Sequence, residues 1–325
     1  MRVGFTFDLR ADYKALGLSD EETAEFDSEV TIEAIEAALR RLGCAVERIG
    51  NVRALTRRLA EGARWDFVFN ICEGMKGIAR EAQVPALLEA FDIPYTFADP
   101  LTLALALDKA MTKRIVAGAG VRTAPFAVLE HAQDAGDLRL PFPLFVKPLA
   151  EGSGKGVGPA SRVADNFALI REAARLIARF HQPVLVETFL PGREFTVGIL
   201  GTGARAEVLG VMEILPRPNA AAHGYGYENK EEFEDRFDYA PASDKEAEAA
   251  AEEALKAYRA LRCRDAGRLD FRSDAEGRPH FLEANPLAGL NPERSDLVFI
   301  ARFAGITFDE LIARIVRSAK ERFAP

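Results

Sequence analysis

Cysteine and histidine are scarce in this chain: three Cys and four His among 325 residues. Cys44, Cys72 and Cys263 are an odd, widely spaced set, so neither a disulfide framework nor a CxxC zinc knuckle can be drawn from them, and they read as small buried hydrophobes. Long apolar runs are missing too; nothing approaches the roughly 18 residues that a membrane span requires. No basic and then apolar leader precedes the first strand, which begins almost at Met1, so a cytoplasmic protein is expected. Positive charge is in deficit, with 42 Lys and Arg against 50 Asp and Glu and a net charge of −8. That balance opposes nonspecific nucleic-acid binding while leaving room for a local basic pocket around an anion. Credible repeats and low-complexity linkers are lacking. What is present, 48% hydrophobic and 28% charged residues, is a globular composition, and the length suggests about two or three domains.

Up to residue 106, β-type runs over 2–7, 45–49 and 65–71 alternate with helical patterns over 28–42, 52–63 and 82–91. That order predicts a parallel sheet with helices on its faces. Residues 107–189 read as a small α+β unit, with helices over 108–119 and 165–180 and short strands over 124–129, 144–147 and 184–189. Residues 190–325 carry strands over 194–200, 207–214, 268–272 and 279–284 and a helix over 245–262. The last helix is announced by the capping box Thr307-x-x-Glu310 and by apolar residues three or four apart from Phe308 to Ala319.

The segment 267–285 reads as a β-hairpin. Its simplest register sets Glu276-Gly277 in a two-residue turn and puts Asp270 directly opposite Glu283, Cβ atoms roughly 4.5–5.5 Å apart, with Asn285 on the same face. Like charges so placed repel. A divalent cation relieves the conflict, and a set of hard oxygen donors without His or Cys favours Mg²⁺ or Mn²⁺ over zinc. A solvated face whose carboxylates pair with Arg268 or Arg278 is the alternative, and spacing alone leaves both open.

The loop from Lys147 to Gly158 follows a strand, and its glycines let backbone N–H groups approach phosphates. It is not a P-loop, because Gly156 rather than Ser or Thr follows Lys155. A plain flexible loop fits the same residues. Lys147 ends an apolar strand and Lys109 lies in the apolar stretch 104–111; either could snorkel to water alone. Two such lysines ahead of a glycine loop and a carboxylate cluster point to an anionic ligand. Glu187 and Glu194 flank Pro191-Gly192, a turn that could offer backbone groups to a base, although either could form a surface salt bridge.

Taken in order, Asp108-Lys109, Lys147-Pro148 with Glu151-Gly152-Ser153, Val186-Glu187 with Glu194-Phe195-Thr196-Val197, Gly267-Arg268-Leu269-Asp270 and Leu282-Glu283-Ala284-Asn285 resemble the ATP-grasp superfamily. Within it they are similar to D-alanine–D-alanine ligase-like enzymes, along essentially the whole chain. The resemblance implies α/β and α+β architecture in three domains: an N-terminal parallel-sheet, Rossmann-like domain (1–106), a central lid (107–189) and a C-terminal catalytic domain (190–325), with ATP between the sheets of the last two. It implies ATP with two Mg²⁺ or Mn²⁺ ions, small amino-acid or peptide substrates and a homodimer. Lys109 and Lys147 would contact the phosphates, under a loop containing Glu151, Gly152 and Ser153. Glu187 would take the adenine amino group, the Leu190 backbone the ring edge, and Glu194 the ribose. Lys230 would reach the γ-phosphate, and Asp270, Glu283 and Asn285 would hold metal. Arg268, the Gly289 N–H and Ser153 would serve catalysis. The implied reaction phosphorylates a carboxylate and then passes the acyl group to an amine.

The substrate end departs from that pattern. Residues 10–27 intervene where these ligases have a short glycine-rich entry, leaving Asp27 and Glu29 as candidates for a substrate ammonium. Asn70-Ile71-Cys72-Glu73-Gly74 replaces their His-Gly segment, and Glu231 follows Lys230 where Tyr or Phe is usual. Arg294 or Ser295 could bind an acceptor carboxylate. D-alanine and a different amino acid, peptide or amine therefore both remain open as substrates. A nucleotide-binding regulatory protein without ligation is the reading from another class.

Overall fold

The structure, a computed structural model, describes residues 1–217 and 237–323. Three sheets form among them. The first is parallel, in the order β2 (Ala45–Gly50), β1 (Arg2–Phe7), β3 (Phe67–Ile71). The second is a four-stranded antiparallel sheet with β4 (Phe126–Leu129), β7 (Val184–Thr188), β5 (Leu144–Pro148) and β6 (Arg162–Val163). The third is antiparallel in the order β10 (Phe237–Pro241), β9 (Glu207–Pro216), β8 (Glu194–Leu200), β11 (Ala266–Ser273), β12 (Pro279–Asn285). The helices are α1 (Arg10–Ala15), α2 (Glu29–Arg41), α3 (Val52–Ala60), α4 (Gln83–Ala90), α5 (Pro100–Leu107), α6 (Lys109–Gly118), α7 (Asn166–Phe180), α8 (Lys245–Ala260), α9 (Asp296–Phe303) and α10 (Phe308–Phe323).

Strand β1 is buried along all but its first residue, as a central parallel strand covered on both faces must be. Val3, Phe5, Phe69 and Ile71 pack against Ile32, Ile35 and Leu39 of α2 and against the apolar stripe of α10. The last helix of the chain thus completes the core begun by the first strand, and one continuous core joins the N-terminal sheet to the C-terminal segment. Helix α6, at the start of the expected central segment, sends Val116 into the core of the five-stranded sheet.

That sheet is covered closely on both faces because the facing side chains are small. On one face, Ala247, Ala250, Ala254 and Ala257 of α8 recur three and four apart, all fully buried. On the other, Gly198 and Gly210 are register partners on β8 and β9, and a Cβ on either would lie 3.1 Å from Ile300 Cγ2 of α9. Helices α5 and α9 are not visible as sequence patterns: α5 reads apolar almost all round, because even its exposed side carries a leucine, Leu101. Helix α1, at six residues, is too short to show a period.

The β11–β12 hairpin pairs Asp270 with Glu283, as expected, but not through a two-residue turn. Asp274 closes a wider turn by accepting from Glu276 N at 3.0 Å and Arg278 N at 2.9 Å, with Gly277 at φ +74°. The pairing shifts between Asp270 and Phe271, so that Phe271 faces Phe281 and Leu282 is the extra residue of a bulge. The wider turn and the bulge offset each other and restore the Asp270–Glu283 pair. The bulge also sends Phe281 and Ala284 into the core while Leu282 and Glu283 face the opposite side.

Asp265, fully buried at the entry to β11, ties the layers together. It accepts from Phe97 N at 2.7 Å, Ser318 Oγ at 2.9 Å and Arg322 at 2.6 and 3.0 Å. Removing the cation of such a pair strands a buried carboxylate. Arg322→Met should therefore lower unfolding free energy by about 3 kcal/mol, read as a fall in urea midpoint at unchanged m value; an unshifted midpoint would show that solvent or another donor takes over.

Candidate functional site

Two cavities open at the junction of the sheets. One, of about 110 Å³, lies between the four- and five-stranded sheets and is lined by Phe145, Lys147, Glu187, Phe189, Leu190, Glu194 and Arg272, among others. The other, of about 300 Å³, lies between the N-terminal part and the end of β12, with Arg10, Glu25, Asp27, Glu73, Glu81, Arg268, Gly289 and Ser295 in its wall. Lys109, Glu151 and Glu283 line both. A ligand spanning the cavities would place its middle at those three side chains.

In the smaller cavity, Glu187 of β7 is 3% exposed and carries two lysines: Lys147 of β5 at 2.8 Å on Oε1 and Lys113 of α6 at 2.9 Å on Oε2. Burial alone would raise its pKa, but the two cations hold the carboxyl down to about 2. Burial works on Lys147 in the opposite sense and Glu187 outweighs it, so that lysine titrates above its ordinary value; Lys113, deeper and repelled by Lys147, titrates below. The Phe189 ring has two guanidinium groups near it, Arg162 at 4.4 Å from the centroid and Arg272 at 5.4 Å. Arg272 also meets Glu194 at 3.2 Å. An aromatic and aliphatic wall that also carries paired lysines and carboxylates suits a purine nucleotide, whose base and phosphates need both.

At the seam, Asp270 accepts from Thr196 Oγ1 at 3.0 Å and Asn285 Nδ2 at 3.4 Å, and pairs with Arg268. Lys109 Nζ lies 3.4 Å from Glu283 and donates to the Glu151 carbonyl at 2.6 Å. Arg268 is also 3.5 Å from Asp296, and these carboxylates lift its pKa despite the opposing effect of burial. Among the described residues no three His, Cys, Asp or Glu side chains gather closely enough to hold a metal ion. Two carboxylates and one amide match instead a hard cation that brings ligand oxygens with it.

In the larger cavity, Asp27 lies in the wall, whereas Glu29 turns away to pair with Arg48 and does not line it. Burial, with Asp8 adding repulsion, raises the Asp27 pKa to about 7, against the pull of the Thr31 hydroxyl and Arg10. Burial likewise lifts Glu81 to about 8, and it raises Glu73 well above the ordinary carboxylate value, with repulsion from Glu81 and Glu25 adding to it. Ser153, at φ +51°, and Gly289 face this cavity, and a Cβ on Gly289 would meet Ser295 Oγ at 2.9 Å. Arg294 lines the same wall. Lys230 and Glu231 lie outside the described residues.

Glu25 was not singled out from sequence, yet it organises the glycine loop. It accepts from Gly152 N at 2.8 Å and pairs with Arg80 at 3.1 Å and Lys155 at 3.4 Å, while Lys155 meets Glu151 at 2.5 Å. Burial would raise its pKa, but Arg80 and Lys155 lower it below the ordinary value. Residues 10–27 thus reach across to hold the loop that covers the seam. Lys113 also escaped notice, although its position four residues after Lys109 puts both on one helix face.

Residues 115–317 match the family model described as D-ala D-ala ligase C-terminus. The D-alanine–D-alanine ligase of Bordetella petrii is 35% identical over 319 residues, 95% of this chain and 94% of that protein. This chain belongs to the D-alanine–D-alanine ligase family. The enzyme of that name from Citrifermentans bemidjiense is 36% identical over 305 residues, 93% of each chain. A D-alanine–D-alanine ligase from Bacillus anthracis, solved in complex with ATP, superposes with a TM-score of 0.73 at 21% identity, covering 99% of this chain and 98% of that one. The fold is that of ATP-grasp enzymes.

Asp27 gives this family member a testable titration. Because its folded pKa exceeds the unfolded value near 4, the native state binds more protons between about pH 4 and 7, and its contribution to stability falls as pH rises through that window. Asp27→Asn removes that slope. Thermal melts should show the variant more stable than the parent at pH 8, with the gain vanishing towards pH 4; a constant difference across pH would exclude the raised titration.

Proposed function

We propose that this protein is an ATP-dependent carboxylate–amine ligase of the D-alanine–D-alanine ligase type, joining two amino acids through an acyl phosphate and releasing ADP and phosphate. The observation that carries this reading is the seam: Lys109 and the Asp270–Glu283 pair stand where the smaller cavity, between the two antiparallel sheets, meets the larger, polar one. Adenine would lie against Leu190 and Phe189, its amino group towards Glu187, with the ribose at Glu194. Lys147 and Lys109 would take the phosphates beneath the loop that includes Glu151, Gly152 and Ser153. Mg²⁺ held by Asp270, Glu283 and Asn285 would neutralise charge on the transferring phosphoryl group.

The resting ion pairs support such an exchange. Lys109 holds Glu283 and Arg268 holds Asp270, so each acid is neutralised by a cation that a phosphate or oxyanion can claim while metal claims the acid. A donor carboxylate oxygen attacks the γ-phosphorus and the bond to the β-phosphate oxygen breaks, leaving ADP. The acceptor amine then attacks the acyl carbonyl, phosphate leaves, and the amine gives up a proton. Arg268 and the Gly289 N–H sit in the wall of the larger cavity, where they could stabilise the oxyanion of the second step.

A second reading changes the substrates and keeps the chemistry. Asp27, Glu73 and Glu81 line the larger cavity, where the amino group of D-alanine or of a different amino acid, peptide or amine could be met. Product formation resolved by mass across pairs of amino acids should show phosphate release only when a carboxylate donor and an amine acceptor are both present. Efficient D-alanyl-D-alanine synthesis would select the first reading, and phosphate release without either amino acid would contradict both.

Arg268→Ala should lower kcat by roughly 10²–10³-fold while changing ATP affinity far less. Steady-state kinetics with calorimetric ATP titration separates the two, and normal turnover in the variant would remove Arg268 from the reaction.

A further inference from the structure

Glu187 carries more positive charge than it needs. Two buried lysines meet its two oxygens, Lys147 on Oε1 and Lys113 on Oε2, at 2.8 and 2.9 Å. The lysines differ in freedom. Lys147 lines the smaller cavity and can turn towards a ligand there, whereas Lys113 is fully buried and does not line it. Lys113 Nζ is pinned by the Phe281 carbonyl at 2.9 Å and lies about equally far from the Phe126 and Phe281 ring centroids, at 5.9 and 6.0 Å. Its partners come from the bulged strand β12, from β7 and from the start of β4, so its position is set by both antiparallel sheets.

We infer that Lys113 is the fixed counter-ion of Glu187, a positioning residue that frees Lys147 to leave Glu187 for the nucleotide phosphates. The inference rests on reading the smaller cavity as the ATP site. When phosphates draw Lys147 away, a buried carboxylate with no second cation would be stranded, at a cost large enough to oppose nucleotide binding. With Lys113 in place, Oε2 stays neutralised and Oε1 is vacated, ready to accept from an amino group on the base. Charge balance is kept throughout: one carboxylate against two cations before binding, one against one afterwards, the second cation having moved to the phosphates. Lys113 never touches ligand in this scheme. It acts through Glu187 and Lys147.

Lys113→Met keeps the length of the side chain and removes the charge. The experiment measures KM for ATP, KM for both amino acids and kcat in the whole enzyme, together with calorimetric ATP binding, for the parent, Lys113→Met, Glu187→Gln and the double variant. Lys113→Met should raise KM and Kd for ATP roughly tenfold or more, because Lys147 is then held by an otherwise unpaired Glu187, while kcat and the amino-acid KM values stay within about twofold. Neutralising Glu187 should cancel that loss, so the double variant should bind ATP no worse than Glu187→Gln alone. A merely structural lysine would give no such rescue. Unchanged ATP affinity in Lys113→Met, or a double variant whose loss is the product of the two single losses, overturns the inference. If Lys113→Met does not fold, Glu187→Gln against the double variant still decides: equal ATP affinity supports it, a further tenfold loss refutes it. Failure of the parent to bind ATP would instead overturn the nucleotide reading itself, a result distinct from normal parental binding with an indifferent Lys113.

Discussion

Neutralisation of buried charge at the junction of the sheets is the constraint on which the rest of the structure depends. Asp270 and Glu283 stand opposite each other on neighbouring strands, and Glu187 is buried between two sheets; none of these carboxylates is stable there without a cation. Arg268, Lys109, Lys147 and Lys113 supply the compensation within the protein. Apart from the fixed Lys113–Glu187 pair, these pairs can exchange under the proposed reading: metal would take the cation's place beside Asp270 or Glu283, and phosphate the acid's place beside Lys109 or Lys147. On that reading, affinity for a metal–nucleotide complex would be built from the same interactions that let the unliganded site fold.

Keeping those charges at fixed distances requires a rigid frame, and the frame is made by close approach. The alanine face of α8 and the paired glycines of β8 and β9 let helices lie near the five-stranded sheet on both sides. The bulge at Leu282 divides β12 between two tasks, with Phe281 and Ala284 packed into the core and Glu283 presented to the site. A regular hairpin would place Phe281 and Glu283 on one face, and one of them would be in the wrong medium. Further out, Glu25 and Asp265 use single buried carboxylates to join segments distant in the chain, one at the glycine loop and the other between the first and last core layers.

Sequence patterns revealed the parts of this arrangement that repeat or that cluster along the chain. The strands of the parallel sheet and the amphipathic helices α2, α7 and α10 announce themselves by period, because each has one buried and one solvated side. The Asp270–Glu283 pairing was legible for a partly accidental reason, since the assumed tight turn and the unseen bulge each displace the register by one residue and the displacements cancel. Lys113 was hidden because a lone lysine on a helix ordinarily faces water, and nothing local shows that this one faces Glu187 across a sheet. Glu25 was hidden for a related reason: its partners Arg80, Gly152 and Lys155 are brought to it only by the assembled fold. The substrate wall is the least legible part, because residues 10–27 follow no helical or strand period and Asp27 and Glu29, two residues apart, point to different surroundings.

Phosphorylation of a donor carboxylate at this seam is the step that the proposed chemistry requires. Turnover with a donor amino acid whose carboxylate carries heavy oxygen, followed by mass analysis of the released phosphate, reads that step directly. Transfer of a single labelled oxygen from donor to phosphate, with ADP as the other nucleotide product, is the expected result. Unlabelled phosphate, or release of AMP and pyrophosphate, would contradict it.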